Sequence, residues 1–146
     1  MRNGLQNQLA AMGESSCYFL SLVKIAEEVI RDRIDLIWAF DSCVTKRYVR
    51  FIYSKPEDGD NCYIDNPLGV LKLLTGRNWN YHKVTDKEEI KAWSAADEEY
   101  TIQRWYRKTT GKEFYHFRRP SWDPLLDSQT VKFGAIDALY IFTVGG

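Results

Sequence analysis

Gly13-Glu14-Ser15-Ser16-Cys17-Tyr18-Phe19-Leu20-Ser21-Leu22-Val23 is the stretch on which the reading of the whole chain turns. Gly13 closes an irregular lead-in. Glu14-Ser15-Ser16 then offers helix-capping chemistry, because a serine hydroxyl can satisfy an exposed amide of the first turn. From Cys17 to about Arg31 the pattern is helical. Phe19, Leu20, Val23, Ala26 and Ile30 recur at helical spacing, and Leu22, Ile25 and Val29 widen the apolar face. So wide a face predicts a helix buried against more than one neighbour. Its charged residues, Lys24, Glu27, Glu28 and Arg31, gather toward the far end, which leaves the Cys17 end nearly uncharged.

Downstream, a second helix is expected from Leu36 to about Lys46. Residues 54–61 have the composition of an exposed loop. Asn66-Pro67 can open a third helix, with proline tolerated in the first turn and Gly76 as a stop. Trp79 to Val84 reads as a strand, and Lys87 to Ala96 as helical or irregular. The last third changes character. Tyr100 to Lys108 and Glu113 to Arg118 alternate bulky and polar residues around Thr109-Thr110-Gly111, which predicts a β-hairpin. Ser121 to Asp123, Thr130 to Phe133 and Ala138 to Val144 are expected as further short strands. Helices followed by an antiparallel sheet give an α+β chain. No internal repeat or low-complexity segment interrupts it.

The 146 residues fit one domain, 1–146, large enough to bury a proper core. Apolar residues make up 45% and aromatics 14%, so stacked rings are expected in that core. Twenty basic residues balance twenty acidic ones. That balance argues against a general polyanion binder. Asn3, Gln6, Asn7 and Gln8 break the first apolar residues, so nothing reads as a signal peptide, and no apolar run is long enough to span a membrane. The expectation is a cytoplasmic protein with no membrane partner. Three widely spaced cysteines, Cys17, Cys43 and Cys62, make neither a disulfide framework nor a zinc knuckle. There is no glycine-rich phosphate loop, and two histidines with scattered carboxylates give no metal signature. No cofactor and no metal are expected.

Thiol chemistry needs a thiolate, a base to make it and a group to orient that base. Cys17 sits where the positive end of a helix favours a thiolate. Taken alone, it reads as a small buried apolar residue. His116 lies on the expected strand Glu113 to Arg118, and Asp123 follows seven residues later. A tight reversal at 118–121 would set His116 and Asp123 opposite each other on paired strands. Their Cβ atoms would then be about 4.5–5.5 Å apart, near enough for a carboxylate to hold an imidazole N–H. The plainer reading is a strand histidine beside a turn aspartate. His82, on Tyr81-His82-Lys83, is a rival base without an aspartate at hairpin spacing. Cys43 lies near Trp38 and Phe40 on a helix and reads as core. Cys62 borders a polar loop and has no basic partner nearby in sequence.

The order of a glutamine, then Gly13, then Cys17-Tyr18-Phe19 opening a long helix, then His116-Phe117 on a late strand, then Trp122-Asp123-Pro124, resembles the papain-like cysteine peptidases. In layout it is similar to the bacteriocin-leader peptidases of bacteria and their C39-like relatives. Ser128-Gln129-Thr130-Val131-Lys132-Phe133-Gly134 and Ile141-Phe142 resemble the closing strands of small C39-like proteins associated with phages and prophages. The matching stretches are Gln8 to Leu22 and Tyr115 to Val144; residues 33–98 match no motif. The resemblance implies a papain-like fold, with N-terminal helices and a long central helix that starts at the cysteine, packed on a C-terminal antiparallel sheet. It implies Cys17 as nucleophile, His116 as general base and then acid, and Asp123 as the group that holds the useful tautomer. Gln8, with Gln6 as the alternative, would donate to the oxyanion beside the backbone N–H of Cys17. The implied substrate is a peptide or protein, cleaved at a peptide or isopeptide bond through an acyl-enzyme.

Two further readings stand beside this one. Tyr18 follows Cys17 where the peptidases usually carry glycine, and the segment from His116 to Asp123 is short. Both motivate a catalytically inactive papain-like binding module, since a scaffold can outlive its chemistry. Arg104, Arg107, Lys108, Lys112, Arg118 and Arg119 lie among Trp105, Tyr106 and Tyr115. Such a basic and aromatic hairpin can bind single-stranded nucleic acid, although its commoner meaning is a solvated face with amphipathic stems.

Overall fold

The first helix, α1, runs Ser16–Ile30. Cys17, Tyr18, Phe19, Leu20, Ser21, Leu22 and Val23 are all buried, seven residues in a row. A helix can bury every side of itself only by packing against several neighbours, as its broad apolar face predicts. The computed structural model describes residues 16–52, 61–93, 99–119 and 134–145. Among them are four helices and two antiparallel sheets, a mixed α+β chain. The chain divides into two compact units, Met1–Arg77 and Asn78–Gly146.

In the first unit α1 is followed by α2, Leu36–Thr45, and the two ends are fixed locally. The Arg31 amide donates to the Glu27 carbonyl at 2.8 Å, and the Glu27 carboxylate accepts from the Ile34 amide at 2.9 Å. Asp35 caps α2 by accepting from the Trp38 amide at 2.9 Å. At its other end Arg47 adopts φ 63°. Its amide donates to Val44, and the Tyr48 amide reaches back to Cys43 at 2.9 Å. This pair of bonds is a Schellman closure, with arginine in the left-handed position that glycine usually takes.

The chain then enters β1, Val49–Ile52, which pairs antiparallel with β2, Asn61–Ile64. Neither strand is foreseen in the sequence reading, and Asn61 begins β2 where that reading ends a loop. α3, Pro67–Thr75, opens on an Asn66 cap with Pro67 in its first turn. It closes at Gly76, whose φ of 72° suits a residue without Cβ. α1 packs on α3 and β2, and α2 packs on β1 and α3. Phe19 meets Phe40 edge-on at 5.7 Å. Leu22, Ile25, Ala39, Cys43, Val49, Val70 and Leu71 complete this core with 1% exposure or less. Each large side chain so buried stabilises the unit by about 1.5–3 kcal/mol.

The second unit is built on a four-stranded antiparallel sheet: β3, Trp79–Val84; β4, Glu99–Thr109; β5, Lys112–Arg118; and β6, Ala135–Val144. Their spatial order is β3-β6-β4-β5. β4 and β5 form the expected hairpin. Thr109 pairs with Lys112, leaving Thr110 and Gly111 as a two-residue loop. Both loop residues have positive φ, 47° and 78°. That is a type I′ turn, whose twist matches the strands it joins. The short helix α4, Lys87–Ala92, is capped by Asp86. Ile90, Trp93 and Ile136 pack against Val84, Leu139 and Ile141, the core on one side of the sheet.

On the sheet's other face the register aligns Tyr81, Phe142 and Tyr100, then Lys83, Tyr140 and Ile102, then Ala138, Arg104 and Phe117. Rings carry this face. Tyr81 stacks on Phe142 at 5.3 Å, and Phe117 meets Tyr140 at 5.7 Å. A bulge interrupts β6: Arg104 pairs with Ala138 and Trp105 with Ile136, so Asp137 has no opposite number. β6 starts three residues earlier than its alternation suggests, at Ala135. The strands expected at 121–123 and 130–133 lie outside the described residues.

Candidate active site

Cys17 is the second residue of α1. The amides of a helix's first turn have no partner within the helix, and their partial positive charge favours an anion nearby. No acidic residue in the first turn opposes that charge. The Cys17 carbonyl is held by the Ser21 hydroxyl at 2.8 Å. Cys17 as a whole is 6% exposed.

Cys43 supplies an internal comparison. It lies in the last turn of α2, at the negative end of the helix, with no exposure at all. Burial pushes its thiol up to about 11, because the apolar core disfavours a thiolate. Cys17 and Cys43 are both thiols. Only one of them stands where a helix end favours the anion. Cys62 occupies β2 opposite Phe51.

His116 lies on β5 in the second unit, paired with Trp105 of β4. Its strand is the one expected from the sequence. Cys17 belongs to the first unit. Asp123, Gln8 and Gln6 lie outside the described residues. His82 sits on β3 opposite Ile141 and is exposed. Among the described residues no group of three His, Cys, Asp or Glu side chains could hold a metal ion. Among them, too, no helix is long and apolar enough to cross a membrane.

The basic hairpin is engaged with the sheet itself. Arg104 grips Asp137 with two hydrogen bonds, Nε to Oδ1 at 2.8 Å and Nη2 to Oδ2 at 3.0 Å. Its Nη1 donates to the Tyr140 hydroxyl at 3.3 Å, and its guanidinium lies 4.7 Å from the Tyr115 ring centre. Burial works against the Arg104 charge, but the hydrogen bond and charge of Asp137, with Tyr140 and Tyr115, more than offset it, so its pKa is raised. Arg119 donates to the Thr101 carbonyl at 2.7 Å and lies 5.8 Å from the Tyr100 ring centre. Sequence reasoning misses the Arg104–Asp137 pair, since the partners are 33 residues apart and meet only through the bulge.

Scanned against protein-family models, curated proteins and solved structures, the chain matches none.

Proposed function

We propose that the chain is a thiol hydrolase of papain-like plan, with Cys17 as nucleophile and His116 as its base. One observation supports this above the others. Of the two cysteines with described side chains, Cys43 is held neutral in the core, whereas Cys17 lies in the first turn of a helix. The mixed α+β architecture, with a long helix opening at a cysteine and a histidine on a late antiparallel strand, is compatible with that plan.

In this reading His116 takes the Cys17 proton. The sulfur attacks the carbonyl carbon of a peptide or isopeptide bond, and the oxyanion accepts from the Cys17 amide and the Gln8 or Gln6 side chain. The C–N bond breaks as His116 returns the proton to the leaving nitrogen. Water, deprotonated by His116, then attacks the thioester, releasing the acid and the thiol. Asp123 holds the imidazole in the useful tautomer.

The test is competitive labelling of the folded protein with iodoacetamide, read by peptide mass spectrometry. Cys17 labels fastest, and His116→Ala slows it. Equal labelling of Cys17 and Cys43, indifferent to His116→Ala, overturns the reading.

A second reading is favoured by the 6% exposure of Cys17: a papain-like binding module without turnover. Under it, Cys17 reacts only once the fold is loosened by denaturant.

A further inference from the structure

We propose that the outer edge of β3 pairs with the same strand of a second copy of this chain, antiparallel about a two-fold axis at Tyr81. Among the described strands β3 closes one end of the strand order and pairs only with β6. Its six residues keep an unbroken register with β6, and they include neither a bulge nor a proline. Bulges and prolines are devices that stop an edge from recruiting another strand. Asn80, Tyr81, His82 and Lys83 are all exposed. Tyr81 keeps 43% of its surface open although its ring stacks on Phe142. One bond fixes which backbone groups face outward. The Gly145 amide donates to the Asn78 carbonyl at 2.8 Å, one step beyond the Trp79–Val144 pair. Antiparallel pairs alternate between hydrogen-bonded and non-hydrogen-bonded. Asn80 and His82 therefore turn their N–H and C=O groups to Thr143 and Ile141 of β6. Trp79, Tyr81 and Lys83 turn theirs to the open edge. The Tyr81–Phe142 stack, 5.3 Å between ring centres, fits a non-hydrogen-bonded pair, where side chains come closest.

A second copy suits this edge because the edge is its own complement. A two-fold axis pairs the same patch with itself about one centre. With Tyr81 at that centre, Tyr81 pairs with Tyr81 of the second copy, and Trp79 pairs with Lys83 in both directions. Every outward residue of β3 then joins the new ladder. Centring on His82 instead would leave Trp79 outside it. On one face the two Tyr81 rings lie side by side, with Lys83 next to the facing Trp79. On the opposite face Asn80 stands across from His82, polar against polar. Lys83 is the strand's one fixed charge. The axis places its two copies at opposite ends of the ladder, so like charges do not face each other. The pairing joins two four-stranded sheets into one continuous sheet. The ladder is short, which makes this a weak, concentration-dependent dimer.

The experiment combines sedimentation velocity with amide exchange by NMR, on the full chain, from micromolar to millimolar concentration. The dimer forms toward the upper end. Across that range exchange of the Tyr81 and Lys83 amides slows by at least about tenfold. The Asn80 and His82 amides, already in the β6 ladder, stay protected throughout. Lys83→Pro removes an outward N–H that the fold does not use, and an edge strand accepts proline at such a position. It raises the dissociation constant by at least about tenfold, because symmetry removes the bond twice. Lys83→Ala loses the contact with the Tyr140 ring but keeps the N–H, and still dimerises. Equal dimerisation of the proline and alanine variants overturns the proposal. So does a dimer whose Tyr81 and Lys83 amides exchange as they do in the monomer. Protection of those amides already in dilute solution overturns it as well, since the chain would then cover its own edge. A chain that stays monomeric also overturns it; if an alternating Thr-Val peptide then protects the same amides, the edge belongs to a foreign strand. Should Lys83→Pro not fold, amide exchange in the wild type decides alone.

Discussion

Arg104 and Asp137 are joined by two hydrogen bonds, 2.8 and 3.0 Å, across the bulge between β4 and β6. The pair closes a contact between residues 33 positions apart and anchors the middle of the sheet. Asp137→Ala would strip a partly buried guanidinium of its carboxylate acceptor and leave it the Nη1 bond to Tyr140. The expected cost is about 1–3 kcal/mol, the range for an orphaned polar group. Urea denaturation of Asp137→Ala, Arg104→Ala and the double variant checks it. The double variant falls short of the sum of the singles by at least about 0.5 kcal/mol if the two residues act as one unit.

The β4–β5 turn carries a correctable strain. Thr110 is β-branched and held at φ 47°, beside Gly111 at 78°. Type I′ turns favour Asn-Gly, because asparagine tolerates the left-handed region better than threonine. Thr110→Asn therefore stabilises the protein by about 0.5–1 kcal/mol. Gly111→Ala destabilises it by a comparable amount or more. Thermal unfolding of both variants checks the opposite signs.

Cys43 gives the fold an alkaline sensitivity. Its folded pKa is raised from 9.0 to about 11, so between those values the native state holds a proton that the unfolded chain releases. The stability this group contributes is complete below about pH 9 and is lost as pH rises through about 11. The loss is on the order of 3 kcal/mol. Urea midpoints of wild type and Cys43→Ala at pH 8 and pH 10.5 isolate it from the other groups that titrate there. The variant shows the shallower decline.

Much of this architecture is legible in the sequence where the signal is local. Asn66-Pro67 and Gly76 bound α3 because cap, first-turn proline and left-handed glycine act within a few residues. Thr110-Gly111 marks the hairpin for the same reason. β1 and β2 escape notice because each is four residues long and stabilised by its partner strand. Val49 is buried there, whereas Arg50 and Tyr63 are exposed and bound to each other, the guanidinium 5.0 Å from the ring centre. Such strands carry too little alternation to be read alone. Asp137 hides the start of β6, since a charged residue inside an apolar run reads as an end rather than as a bulge. Gly69 has a meaning no composition reveals. A Cβ there would stand 2.7 Å from Asn66 Nδ2 and 2.9 Å from Tyr48 Cδ1, so glycine lets the cap and the tyrosine close over α3. Of the candidate site, the helix start at Cys17 and the strand under His116 are legible, each from its own periodicity. Asp123, Gln6 and Gln8 lie outside the described residues, and their roles rest on resemblance.

The assignment of Cys17 and His116 as a working pair is tested most directly by the pH dependence of Cys17 alkylation, measured from pH 4 to 10 in wild type and His116→Ala. The proposed pairing predicts that wild-type Cys17 reacts already near pH 6, well below the range of an ordinary thiol at about 8.5. His116→Ala moves the profile toward that ordinary range, and Cys43 stays silent until near its value of about 11. A Cys17 profile that is the same in both proteins would contradict the pairing.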